Sequence, residues 1–176
     1  MDHRQLLEQA AAIELVIFDV DGVLTDGRLF FDQKGREYKA FHARDGHGLK
    51  LLRRSGVETA VISGRNSPSV AQRCDSLGIQ HVYQGYEDKP PALEALTQAT
   101  GIGVERMAYV GDDILDLPVM RRVHLAIAVA DAHFVVKRHA HWITQTPGGH
   151  GAAREVCDLI MQARGRFDDI IGGYLK

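Results

Sequence analysis

Leu15-Val16-Ile17-Phe18-Asp19-Val20-Asp21-Gly22 is the stretch on which the fold turns. Its apolar residues run without alternation, and two carboxylates and a glycine follow at once. Such a run suits a strand buried on both faces of a parallel sheet. Thr59 to Ile62 and Met107 to Val110 repeat the pattern, with weaker versions at Leu125 to Val129 and Trp142 to Thr144. Helix patterns lie between them: Gly48 to Arg54 before Gly56, Pro68 to Leu77 before Gly78, and Pro90 to Thr100 before Gly101. Pro or Ser near the start and Gly just past the end is the asymmetry helices show. The alternating order predicts an α/β fold on a doubly wound parallel sheet.

Residues 28 to 42 break this rhythm. They are strand-like on both sides of a turn at Asp32 to Gly35, which predicts a β-hairpin. The tail after Arg164 is polar and predicts a flexible end, about residues 165 to 176. A chain of 176 residues supports one well-filled core, so a single domain over residues 1 to 176 is expected. The formal net charge of −2 offers no general attraction to nucleic acid or an anionic membrane. The alanine-rich start lacks the pattern of a signal peptide, and no apolar run approaches a membrane span. Cys74 and Cys157 fit no zinc spacing and read as buried thiols of a reducing, cytoplasmic compartment.

The chemistry gathers where the strands end. The first strand runs into Asp19 and Asp21, the second into Ser63-Gly64-Arg65, and the third into Gly111-Asp112-Asp113, while Lys89 precedes the Pro90 helix. Open α/β sheets bind ligands outside the carboxyl ends of their strands, so these groups converge on one crevice. Asp19, Asp21 and Asp112 are hard oxygen donors, which suit Mg²⁺ rather than zinc. Crowded carboxylates repel one another unless a cation is present. Ser63, backbone N–H groups and Lys89 are donors and charge for phosphate oxygens, the electrostatic part of phosphoryl transfer. A calcium loop beginning at Asp19 is excluded, because Leu24 and Phe30 stand where it needs Gly and Glu. Gly149-His150-Gly151 follows no first strand and lacks the third glycine of a dinucleotide fingerprint.

Taken together, the four motifs resemble those of the haloacid dehalogenase superfamily. Asp19-Val20-Asp21-Gly22 matches the first, Ser63 the second, Lys89 the third and Gly111-Asp112-Asp113 the fourth. The resemblance implies a Mg²⁺-dependent phosphatase on a Rossmann-like sheet. Asp19 is then the nucleophile that forms an aspartyl-phosphate, and Asp21 the general acid and base. Asp19 and Asp112 bind metal through side chains and Asp21 through its backbone carbonyl, with Asp113 behind them. Asp116 is left between a helix-capping role and a site role. An aspartate at position 21, where the superfamily's transport ATPases carry threonine, implies turnover to inorganic phosphate. A phospho-acceptor receiver module is the rival of another class. It carries its phosphorylated aspartate on a mid-chain strand, whereas Asp19 follows the first.

No cap domain fits between Asp21 and Ser63 or between Ser63 and Lys89. Gly22 to Gly27, the hairpin, Phe41 to Gly46, Gly111 to Met120 and Gly148 to Glu155 resemble the family of 3-deoxy-D-manno-octulosonate 8-phosphate phosphatases over about residues 13 to 164. That family implies cytoplasmic homotetramers of lipopolysaccharide precursor synthesis, in which one subunit's hairpin covers the next subunit's site. It also implies substrate contacts from Ser63, Gly64, Arg65, Arg73 and Lys89, and closure of Gly148 to Glu155 over the site. The substrate is a sugar acid phosphate; Lys89 and the metal suit its phosphate, and a guanidinium such as Arg65 suits its carboxylate. For Arg73, on a helix, a surface salt bridge is the competing reading. Related uncapped phosphatases act on nine-carbon sialic-type sugar acid 9-phosphates, and the motifs leave both substrates open.

Overall fold

The computed structural model describes residues 2–176. Its strands are β1 (Leu15–Phe18), β2 (Phe30–Phe31), β3 (Glu37–Tyr38), β4 (Glu58–Ile62), β5 (His81–Tyr83), β6 (Met107–Gly111), β7 (Leu125–Ala128) and β8 (Trp142–Ile143). Its helices are α1 (His3–Ala11), α2 (Ala43–Arg54), α3 (Pro68–Leu77), α4 (Pro90–Thr100), α5 (Leu117–Met120), α6 (Phe134–His139), α7 (Ala152–Ala163) and α8 (Phe167–Gly172).

The main sheet is six-stranded in the order β5-β4-β1-β6-β7-β8, with every pairing parallel. β1 lies between β4 and β6 and is buried along its whole length, as its unbroken apolar run demands. From β1 the chain fills one side of the sheet with β4 and β5, then crosses back to β6 on the other. That reversal leaves a crevice at the carboxyl end of β1. Register does the rest. Phe18 pairs with Val61 on one side and Val110 on the other, so Asp19, Ser63 and Asp112 leave the sheet at nearly the same level.

α3 and α4 match their expected bounds. Each opens on proline and ends on a left-handed glycine, Gly78 at φ 72° and Gly101 at φ 68°. α2 starts earlier than its leucine pattern predicts, at Ala43, because Asp45, Gly46 and Gly48 are buried against neighbouring elements. The hairpin stands apart as a two-stranded antiparallel ladder, β2 with β3, pairing Phe30 with Tyr38 and Phe31 with Glu37. The tail differs from the flexible end expected of it. It carries α8, whose Phe167 and Ile170 pack against the core. Arg164 ties its start to the carbonyls of Ala11 and Ile13, at 3.3 and 2.7 Å. Isolated apolar residues in a polar segment gave no periodic signal for this. No helix among the described residues is long and apolar enough to cross a membrane.

Candidate active site

Asp19 ends β1 and its backbone N–H donates to Val110 O at 3.0 Å, which holds the residue at the sheet edge. The chain then turns tightly over Val20–Leu24, with Gly22 at φ 91°. A side chain at Gly22 would be strained, and its Cβ would collide with the Asp112 carboxylate. The glycine therefore lets the turn approach Asp112 closely. Gly148 and Gly149 brace the turn from behind. Gly149 N–H donates to Val23 O at 2.9 Å, and a Cβ on Gly148 would overlap the Gly22 carbonyl. Gly148 and Gly149, at the start of the segment expected to close over the site, pack on the backbone of the catalytic turn, and the segment does not line the crevice.

Asp19, Asp21, Gly27, Ser63, Gly64, Arg65, Lys89, Asp112, Asp113, Leu115 and Asp116 line that crevice. Sequence distance is thus closed as expected for Ser63, Gly64, Arg65, Lys89, Asp112 and Asp113. Carboxylate oxygens of Asp19, Asp112 and Asp116 lie within 4.8 Å of one another. Lys89 Nζ sits among them, 2.8 Å from Asp19 Oδ1, 2.6 Å from Asp116 Oδ1 and 3.0 Å from the Tyr109 hydroxyl. Burial opposes a charged ammonium there, but Asp19 and Asp116 outweigh it and raise the Lys89 pKa. One ammonium does not balance the carboxylates. Burial first and the Asp116 charge second push Asp19 up to about 7, against the pull of Lys89. Burial, then Asp19, Asp116 and Asp113, push Asp112 to about 8. Asp112 Oδ1 is buried without a hydrogen-bond partner. An orphaned carboxylate oxygen in a cluster of excess negative charge fits a divalent cation held by hard oxygen donors.

Asp116 is the residue the sequence reading left undecided, and it belongs to the site. It is 1% exposed. Its Oδ1 accepts from Lys89 and from the Tyr109 hydroxyl, both at 2.6 Å, and its Oδ2 accepts from the N–H groups of Asp112 and Asp113 at 2.8 and 3.1 Å. The available signal was its capping-box spacing from Asp113, whose own side chain accepts from Ile114 N–H at 2.7 Å. Tyr109 was passed over as core; a phenol in a buried strand has a hydroxyl to satisfy, and that was its signal.

Asp21 lines the same crevice with its carboxylate on other partners. Its Oδ1 pairs with Lys39 Nζ, and its Oδ2 lies 3.8 Å from Arg65 Nε. Lys39 and Glu37, on the second arm of the hairpin, were not anticipated. Glu37 Oε2 accepts from Arg65 at 2.6 Å and Glu37 Oε1 lies 3.2 Å from Lys39 Nζ. Nothing in a polar hairpin sequence marks one lysine for burial. Arg73 is not brought into the crevice. It lies on α3 with its guanidinium 5.8 Å from the centre of the Phe41 ring, beside a separate groove shared with Lys39, and without a carboxylate partner among the described residues. Arg154 is likewise remote, paired with Asp158 at 2.8 Å.

Comparison with known proteins bears on this geometry. Residues 81–156 match the model of haloacid dehalogenase-like hydrolases. The 3-deoxy-D-manno-octulosonate 8-phosphate phosphatase KdsC of Escherichia coli K12 is 46% identical over 167 residues, covering 95% of this chain and 89% of the relative. A probable YrbI family phosphatase from Pseudomonas syringae superposes with a TM-score of 0.96 at 51% identity, over 98% of each chain. The 3-deoxy-D-manno-octulosonate 8-phosphate phosphatase of Moraxella catarrhalis, solved with magnesium, phosphate and KDO, gives a TM-score of 0.96 at 40% identity, over 98% of this chain and 99% of that one.

Proposed function

The chain belongs to the 3-deoxy-D-manno-octulosonate 8-phosphate phosphatases of the haloacid dehalogenase-like hydrolases, and we propose that it hydrolyses that phosphomonoester with Asp19 as nucleophile and Asp21 as general acid and base. The observation that supports the assignment of roles is the Lys89 ammonium bound to Asp19 Oδ1 while Asp21 lines the same crevice.

Asp19 attacks phosphorus with a carboxylate oxygen, and the bond from phosphorus to the sugar oxygen breaks. Asp21 gives its proton to that oxygen as it leaves. The resulting carboxylate of Asp21 takes a proton from water, which attacks the aspartyl-phosphate, frees Asp19 and releases inorganic phosphate. Lys89 offsets charge on Asp19 and on the transferred phosphoryl group, and Ser63 with the neighbouring backbone donates to phosphate oxygens. The side chains of Asp19 and Asp112 and the backbone carbonyl of Asp21 would hold Mg²⁺. When bound, the ion neutralises the carboxylates and polarises the phosphate. Arg65 is the crevice cation available for the sugar acid's carboxylate.

The wider context follows from the same reading: a cytoplasmic enzyme supplying free KDO for lipopolysaccharide precursors, working as a homotetramer. The test is phosphate release from the eight-carbon and nine-carbon sugar acid phosphates in parallel, with Mg²⁺ and with excess EDTA, alongside Asp19→Asn. The eight-carbon substrate is expected to be favoured by about tenfold or more in kcat/KM, since the site must read groups beyond the phosphate. Activity in EDTA, or wild-type activity in Asp19→Asn, would overturn the assigned chemistry; preference for the nine-carbon ester would overturn only the substrate.

A further inference from the structure

Lys39 stands out among the charged groups of the hairpin. The strands around it are exposed, yet its side chain is 1% exposed. Its ammonium meets the carboxylates of Asp21 and Glu37, and Glu37 in turn holds Arg65 at 2.6 Å. Burying a lysine costs both solvation and rotamer freedom, so its place is set by the groups it meets. The contact falls on Asp21 Oδ1. Asp21 Oδ2 is left on the side of Arg65, which lines the crevice.

We propose that Lys39 is a positioning residue: it pins Asp21 Oδ1 and thereby leaves Asp21 Oδ2 as the oxygen that exchanges the proton with leaving group and water. The proposal rests on the reading of Asp21 as general acid and base. A carboxylate free to rotate about its two side-chain torsions spends part of its time turned from the reacting atoms, and proton transfer needs a heavy-atom approach of about 3 Å. One ammonium on Oδ1 removes that freedom. Because Lys39 enters from the hairpin, the same contact makes the hairpin part of the acid–base apparatus of its own chain. Glu37 completes the arrangement by holding Lys39 from behind and by keeping Arg65 beside Asp21.

The experiment separates the two half-reactions. Rapid-quench measurements with p-nitrophenyl phosphate and Mg²⁺ are made on the wild type, Lys39→Met, Lys39→Arg and Asp21→Asn. Nitrophenolate leaves without an acid, so Lys39→Met should form phospho-enzyme within about threefold of the wild-type rate yet hydrolyse it at least about tenfold more slowly. Phospho-enzyme then accumulates. Lys39→Arg, which can still bond Oδ1, should recover part of the hydrolysis rate. A purely structural clamp would slow both steps together; that result, or no slowing in either, overturns the proposal. Should Lys39→Met not fold, Lys39→Gln carries the same criterion. Asp21→Asn is the reference. If it too loses both steps equally, the role of Asp21 is wrong; if it accumulates phospho-enzyme and the Lys39 variants do not, only the role of Lys39 is wrong.

Discussion

Asp116 has two oxygens and faces donors on both. Lys89 and the Tyr109 hydroxyl approach one, and two backbone N–H groups approach the other. An asparagine has a single oxygen, so its amide must point N–H groups at donors whichever way it turns. Asp116→Asn is therefore expected to lower kcat by about a hundredfold or more, because Lys89 loses the anchor that holds it on Asp19, and to reduce stability by about 1–3 kcal/mol through unsatisfied buried donors. Tyr109→Phe takes one donor from Asp116 Oδ1, which keeps Lys89, and one of three acceptors from the Lys89 ammonium, which keeps both carboxylates. Lys89 therefore stays on Asp19, and kcat should fall far less than in Asp116→Asn, at a stability cost of about 1–2 kcal/mol. Phosphate-release kinetics and thermal unfolding of both variants check this; equal mildness of the two would refute it. At this scale the sequence was legible where residue type and strand-end position coincide, as for Asp19, Asp21, Ser63, Lys89 and Asp112. It was not legible where a role depends on partners from elsewhere in the chain. Asp116 was left between a cap and a site role, and nothing set Lys39 apart from any other hairpin lysine.

α7 follows Gly151, which has no side chain to cap it. Its cap comes from α2: Asp45 Oδ1 accepts from Arg154 N–H at 2.8 Å across the helix pair. Glu155 works in the other direction, accepting from the N–H groups of Gln145 and Thr146 at 2.8 and 3.0 Å. Together they fix both ends of the glycine segment that braces the catalytic turn. Burial pushes the Asp45 pKa up, against the Arg154 N–H, so the charge itself is not what favours this residue. An uncharged acceptor should serve nearly as well. Asp45→Ala is expected to cost about 1–2 kcal/mol, which for a domain of this size lowers Tm by about 3–8 °C. Asp45→Asn, whose carbonyl can still accept, should stay within about 3 °C of wild type. Thermal unfolding decides it, and an asparagine variant as unstable as the alanine one would show that the charge matters. Helices with their own punctuation, α3 and α4, were read to the residue. α2 and α8 were not, because their extents are set by contacts with other elements rather than by caps and periodicity in their own sequence.

Across the whole molecule, the parallel sheet and its crevice were readable from the order of buried runs, because connection rules leave few ways to wind them. What lies beyond one chain is carried by the hairpin. Leu29, Phe30, Phe31 and Tyr38 are 45–58% exposed on a ladder that joins no other sheet. An isolated two-stranded hairpin is marginal in water, and this one presents its aromatics outward. Ile114 and Leu115, 53% and 51% exposed, follow Asp113 at the crevice rim, and Leu115 lines the crevice. The hairpin thus divides its work: Glu37 and Lys39 of its second arm meet Arg65 and Asp21 of their own chain, while its exposed apolar side chains have no cover within the chain. We predict a homotetramer in which the hairpins pack together and cover neighbouring crevices, burying the aromatics and the open strand edges at once. Replacing Phe30 and Phe31 with serine should abolish the tetramer in light scattering while leaving far-ultraviolet circular dichroism unchanged. Activity on the sugar acid phosphate should fall more than activity on p-nitrophenyl phosphate, because the small ester depends less on a cover that excludes water and contacts the sugar. A wild type that is monomeric at assay concentration and fully active on the sugar phosphate would dispose of the shared cover, and would leave the exposed aromatics to be explained by some other partner.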